Sequence, residues 1–128
     1  MSYTIIYNGT IVNEGKSFKG YLLFDSEGEI RAVRGGTPPR GLIESCTDSF
    51  NAGGCLVIPG VIDDQVHFRE PGLTHKGTIA SESAAAVMGG ITSFMEMPNV
   101  TPPTTTRQAL REKFQRASRS SLANHSFY

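Results

Sequence analysis

The segment PGVIDDQVHFREPG, residues 59–72, combines the pattern of an apolar strand with polar side chains at every second position. Side chains alternate between the two faces of a strand, so four polar side chains are predicted to share one face: Asp63, Gln65, His67 and Arg69. Polar groups on the inward face of a strand are costly to bury without partners. A metal ion or an anionic ligand would supply such partners.

The sequence after residue 60 predicts a strand, a helix, a strand, a helix and the start of a third strand. The segments are VIDDQVHF, THKGTIASESAAAVMGG, ITSFMEM, RQALREKFQRAS and ANHSFY. Thr105 and Gln108 are predicted to form a capping box for the second helix, whose apolar stripe comprises Leu110, Phe114 and Ala117. The two strand starts are separated by roughly the ~30 residues of a βαβ unit. The pattern therefore predicts an α/β fold with parallel strands.

Residues 1–58 show strand patterns and no helical period. Predicted strands are TIIY, TIVN, YLLFD, EIRAVR and one more within FNAGGCLVIPG. Asn8-Gly9 predicts a hairpin turn, and the segment GGTPPRG predicts a loop. We expect a small antiparallel β unit before the α/β part.

Composition excludes several classes of function. Twelve basic and 12 acidic side chains give a formal net charge of zero, which argues against nucleic acid as a partner. The N-terminus has no signal-peptide pattern, and no segment approaches the ~18 apolar residues of a membrane span. Cys46 and Cys55 lack metal-type spacing and are predicted to be reduced thiols. We expect a soluble, cytoplasmic protein without membrane partners.

The end of the second predicted strand adds polar chemistry next to Arg69. Met95, Met97 and Asn99 are predicted to share a face, with Asn99 just past the strand end. The planar guanidinium of arginine suits bidentate binding of a carboxylate. An asparagine in this place could donate a further hydrogen bond to the same group.

The segments PGVIDDQVHFREPGLTHKG and AAAVMGGITSFMEMPNVTPPTTT resemble the start of dihydroorotases, which are cyclic amidohydrolases of the metal-dependent hydrolase superfamily. The resemblance implies that residues 59–128 are the first βα units of a TIM-type (β/α)8 barrel. It also implies that residues 1–58 are the β-rich part of a composite sandwich domain. We therefore expect the chain to be the N-terminal fragment of a longer enzyme.

The resemblance also implies roles for individual residues. His67 would be a metal ligand, and Arg69 and Asn99 would bind the carboxylate of the substrate. The implied cofactor is Zn²⁺, with one or two ions, which acidifies water and polarises a carbonyl group. The implied reaction is the reversible hydrolysis of dihydroorotate to N-carbamoyl-aspartate, a step of pyrimidine synthesis. The catalytic aspartate, a lysine and two histidines of the family would come from later strands, so no catalytic residue is expected in this chain.

One residue departs from the family pattern His-x-His, because Gln65 stands where the first histidine is found. An amide oxygen is a much poorer zinc ligand than an imidazole nitrogen. Gln65 could still ligate zinc weakly, hydrogen-bond a bound water, or belong to a site with a single shifted metal.

Gln65 could also mark a non-catalytic homologue that serves as a scaffold for a pathway enzyme. A hydantoinase or allantoinase is a further alternative. For the enzyme, we expect a small-molecule substrate and either a homo-oligomer or association with another enzyme of the pathway.

Overall fold

The computed structural model describes residues 2–128, which divide into two compact units, one ending at Pro59 and one beginning at Gly60. The first unit contains β1 (Tyr3–Asn13), β2 (Lys16–Asp25), β3 (Ile30–Gly35), α1 (Leu42–Ser45), β4 (Asp48–Asn51) and β5 (Leu56–Val57). The second contains β6 (Val61–Val66), α2 (Ile79–Met88), β7 (Ile91–Glu96), α3 (Arg107–Ser120) and β8 (Asn124–Phe127). No helix among the described residues has the length and apolar character needed to span a membrane.

The sheet of the first unit is mixed. Its strand order is β3-β2-β1-β4, with β5 also paired to β1. β1, β2 and β3 are antiparallel, whereas β4 and β5 run parallel to β1. The prediction of a purely antiparallel unit is therefore wrong for β4 and β5. The connection after β3 contains the unpredicted helix α1 and is long enough to return the chain in the direction of β1.

The predicted turn at Asn8-Gly9 is also wrong. β1 continues through both residues, and its register against β2 shifts between Ile6 and Gly9. Asn8 has a φ of 63°, and a Cβ on Gly9 would lie 2.7 Å from a methyl carbon of Val57. The dipeptide therefore forms a bulge in one long strand, and the β1–β2 turn is at Glu14-Gly15.

The second unit is α/β, as predicted. Its sheet has the order β6-β7-β8, and both strand pairs are parallel. Helices α2 and α3 connect the strands and pack on one face. The core consists of Val66, Phe68, Ile79, Phe94, Ala117, Ala123 and Phe127. Val66 and Phe68 are thus the members of the opening segment that bury their side chains against the helices.

Threonine residues determine where both helices of the second unit begin. The Thr78 hydroxyl accepts a hydrogen bond from the backbone amide of Ser81, so α2 begins at Ile79 rather than at residue 74. For α3 the N-cap is Thr106, which accepts from the amide of Ala109 at 3.1 Å. The capping box predicted for Thr105 and Gln108 is therefore wrong, because the N-cap lies one residue later and the alanine at N3 has no side-chain acceptor.

Candidate functional site

The candidate site lies where β6 and β7 end. His67 directly follows β6 and Asn99 follows β7 by three residues. Because parallel strands end at the same edge of a sheet, these two side chains meet: Nδ1 of His67 is 3.0 Å from Oδ1 of Asn99. An amide oxygen only accepts hydrogen bonds, so His67 donates through Nδ1. The lone pair of the imidazole is then on Nε2, where it can accept a hydrogen bond or bind a metal ion.

Arg69 lies in the same loop in an unusual backbone conformation. Its φ is 72°, in the left-handed region that few non-glycine residues occupy. Its backbone amide donates to Oε1 of Glu96 at 2.9 Å. Within residues 2–128 its guanidinium forms no ion pair. The loop thus presents a half-buried cation that lacks a counter-ion in this part of the chain.

The exposed side chains of Gln65 and His67 alternate with the buried side chains of Val66 and Phe68, whereas the pairing of β6 with β7 is irregular. Asp63 lies opposite Phe94 and Val66 opposite Glu96, so three steps along β6 match two along β7. This register shift is a bulge between Asp63 and Val66, and Arg69 has a left-handed backbone conformation. That all four polar side chains share one face stays a prediction.

The loops after β6 and β7 are joined by their backbones. The amide of Thr101 donates to the carbonyl of Pro71 at 3.1 Å. Gly72 has a φ of 82°, and a Cβ there would lie 1.8 Å from the carbonyl oxygen of Thr101. Only glycine permits this approach. The two loops that carry the candidate residues are therefore packed together.

A buried ion pair lies beneath these loops. Glu96 is 0% and Lys113 1% exposed, and Nζ of Lys113 lies 3.0 Å from Oε2 of Glu96. Burial raises the pKa of Glu96, while Lys113 and the backbone amides of Arg69 and Phe68 act in the opposite direction. This pair was not predicted from the sequence. Its signal is that Lys113 occupies the apolar stripe of α3, three residues after Leu110.

The described residues supply part of a metal site at most. Within residues 2–128 no three His, Cys, Asp or Glu side chains are grouped so as to hold a metal ion. His67 fits as a single ligand, because its contact with Asn99 directs one ring nitrogen away from the pair. Gln65 is exposed, and its backbone amide donates to Oδ1 of Asp63 at 3.2 Å.

Comparison with protein families gives a match over more than half of the chain. The matching family model, described as dihydro-orotase-like, covers residues 54–125. These residues include both loops of the candidate site.

Individual proteins are similar over nearly the whole chain. A dihydroorotase of Lactobacillus johnsonii is 35% identical over 121 residues, which are 94% of this chain and 27% of that protein. A dihydroorotase of Anaplasma phagocytophilum is 33% identical over 98% of this chain and 29% of its own length. The chain therefore spans little more than a quarter of these curated relatives.

The fold has a close match among solved structures. The structure of an L-hydantoinase (dihydropyrimidinase) from Arthrobacter aurescens matches with a TM-score of 0.87 and 30% identity. The match covers all of this chain and 28% of that one.

Proposed function

The chain belongs to the dihydro-orotase-like family, and we propose that it contributes to a dihydroorotase, which reversibly hydrolyses dihydroorotate to N-carbamoyl-aspartate in pyrimidine synthesis. The observation that carries the proposal is the pairing of His67 with Asn99 in loops that also hold Arg69. An imidazole, an amide and a guanidinium that has no ion pair within residues 2–128 together suit a substrate that is both a cyclic amide and a carboxylate.

Arg69 and Asn99 have complementary tasks in this proposal. The guanidinium binds both oxygens of the substrate carboxylate, which fixes the orientation of the ring. Oδ1 of Asn99 accepts from His67, so the Nδ2 group remains available to donate to the same carboxylate. One side chain thereby links the substrate to the imidazole.

His67 would be a zinc ligand through Nε2, with Asn99 fixing its tautomer. When bound, zinc would acidify a water molecule and polarise the scissile carbonyl group. Further ligands and the catalytic aspartate would have to come from outside residues 2–128. The identity of the metal as zinc, with one or two ions, is part of the proposal.

The proposal extends to the architecture of the whole protein. Parallel sheets require cover on both faces, yet Ile62 is 69% exposed, and Val61 is exposed beside it. We assign residues 59–128 to the first βα units of a (β/α)8 barrel, in which further strands would complete the sheet. Residues 1–58 would be the β-rich part of a composite sandwich domain. Homo-oligomerisation, association with another pathway enzyme and a cytoplasmic location stay predictions.

Turnover by the intact protein tests the proposed activity. With zinc present, we expect formation of dihydroorotate from N-carbamoyl-aspartate at acid pH and the reverse reaction at alkaline pH, followed by absorbance of the ring. Hydantoin and allantoin, which lack the carboxylate, should be poor substrates. Preference for either of these rings would instead favour a hydantoinase or allantoinase, to which the structural match with the L-hydantoinase also points.

Gln65 is the residue that raises the question of an active enzyme or a non-catalytic homologue, and its substitution tests whether it lies near the metal. We propose that Gln65 is a weak or indirect zinc partner, and that Gln65→His raises zinc affinity because imidazole replaces an amide. The affinity for zinc should rise at least ~10-fold. Mutating a residue that only hydrogen-bonds a metal ligand already changes metal affinity by that factor. Zinc titration of the intact protein measures it.

Gln115→His, at an exposed position of α3, controls for adventitious binding by an added histidine. Equal zinc content and affinity in the parent and in Gln65→His would show that residue 65 is not near the metal. Absence of turnover with bound zinc, together with co-purification of a pathway enzyme, would favour the scaffold function.

A further inference from the structure

The Glu96–Lys113 ion pair lies directly under the two loops of the candidate site. Glu96 is the last residue of β7, and Lys113 reaches it from the middle of α3. Both side chains are fully buried. Replacing a buried ion pair by apolar residues of similar size is often neutral for stability. Stability alone is therefore a weak explanation for this pair, and its other contacts are more informative.

The second carboxylate oxygen of Glu96 supports the backbone of the loop after β6. Oε1 accepts the amide hydrogen of Arg69 at 2.9 Å, and the nearby amide of Phe68 also lowers the pKa of this carboxyl. Arg69 has the left-handed backbone conformation, which persists in a non-glycine residue only when its surroundings hold it. The hydrogen bond from the Arg69 amide to the buried carboxylate provides that support. Glu96 thereby determines where the Arg69 side chain leaves the backbone.

Lys113 supports the loop after β7. Its Nζ donates to the carbonyl of Met97 at 3.4 Å, and the amide of Met97 donates to the carbonyl of Val66 at 3.0 Å. Met97 precedes Asn99 by two residues. This ion pair thus connects α3 to the backbones of the two loops that carry Arg69, His67 and Asn99.

We propose that Glu96 and Lys113 are positioning residues, which hold Arg69 and Asn99 at the spacing needed to bind a substrate carboxylate. This inference rests on the proposed function. Glu96 acts by accepting the Arg69 amide, and Lys113 supplies the charge that keeps a carboxylate buried there. Neither side chain needs to touch the substrate.

Two double variants of the intact protein isolate the positioning role. Glu96→Gln/Lys113→Met removes both charges but keeps an oxygen that can accept the Arg69 amide. Glu96→Leu/Lys113→Met removes the charges and the acceptor at similar side-chain volume. In the leucine variant we expect KM for dihydroorotate to rise roughly 10- to 100-fold, since small misplacements of binding groups have effects of this size. In the glutamine variant KM should stay within about threefold of the parent, and kcat should change little in both.

Hydrogen exchange at the Arg69 amide gives a readout that does not depend on turnover. Exchange should be at least ~10-fold faster in the leucine variant than in the glutamine variant. Equal exchange in the two variants would overturn the proposal, as would faster exchange without a change in KM. If the parent did not process dihydroorotate, the proposed function and the substrate role would both fail, and exchange would still show whether Glu96 holds the loop. Should the leucine variant not fold, Glu96→Met/Lys113→Met replaces it with the same expectations.

Discussion

Replacing Arg69 by alanine is expected to raise the KM for dihydroorotate about 30- to 100-fold, with kcat changed only a few-fold. A hydrogen bond to a charged group contributes about 1.5–3 kcal/mol, and each 1.4 kcal/mol is a factor of ten in affinity. The loop should keep its conformation, because the backbone amide of residue 69 still donates to Glu96. Alanine is no worse than arginine in the left-handed region. Steady-state kinetics of the intact protein measures the change.

Two further variants make this result specific. Arg69→Lys keeps the charge but loses the planar pair of donors, so its KM should lie between those of the parent and the alanine variant. Arg111→Ala removes an exposed arginine from α3 and should leave KM unchanged. If KM for dihydroorotate were unaltered in Arg69→Ala, the carboxylate would have to bind elsewhere, and the proposed preference for an anionic ring would lose its basis.

Replacing Lys113 alone by methionine is expected to lower the free energy of unfolding by about 3–5 kcal/mol near neutral pH. Removing one partner of a buried ion pair leaves the other charge without compensation, and losses of this size are typical. Glu96 has no exposure to water through which its charge could be solvated. Chemical denaturation of the parent and the variant measures the difference. The double variant Glu96→Gln/Lys113→Met should recover most of the lost stability.

The decrease in the free energy of unfolding caused by Lys113→Met should depend on pH. Burial raises the pKa of Glu96 above its value in the unfolded chain, and Lys113 opposes this shift. A carboxyl with a raised folded-state pKa contributes stability that is fully present below the unfolded pKa and is lost as pH rises through the folded pKa. Without Lys113 the folded pKa rises further. The stability deficit of the variant should therefore be smaller at pH 5 than at pH 8.

Lys76→Met is the matched control, because Lys76 is exposed in the loop before α2. Such a surface substitution should change stability by less than about 0.5 kcal/mol at either pH. A contradicting result would be that Lys113→Met lowers the free energy of unfolding as little as this control does, or lowers it more at acid pH than at alkaline pH. Either result would show that the lysine does not stabilise the buried Glu96.

The elements of the second unit were largely predictable from local sequence. The apolar spacing of residues 91–97 and the stripe of Leu110, Phe114 and Ala117 predict β7 and α3, and both are present. Helix starts were less accurate, because neighbouring threonines compete for the N-cap. The N-cap is the threonine whose backbone conformation fits the preceding loop, which for α3 is Thr106.

Strand irregularities were not predictable. Asn8-Gly9 favours positive φ angles, and these occur both in hairpin turns and in bulges. The outcome depended on the pairing of β1 with β2, which continues past the dipeptide. The same holds for β6, whose register against β7 shifts between Asp63 and Val66 although the sequence pattern is regular there.

The sequence alone thus identified the candidate residue types. A histidine, an arginine and an asparagine each follow an apolar strand pattern, and a glutamine stands where the family pattern has a histidine. The sequence alone did not show how these residues are arranged. His67 and Asn99 are 32 residues apart, and Arg69 and Glu96 are 27 apart, yet both pairs are joined by single hydrogen bonds. Propensities, caps and alternation act over a few residues, whereas such contacts follow from strand register and helix packing. The support that Glu96 and Lys113 provide therefore exists only in the folded chain.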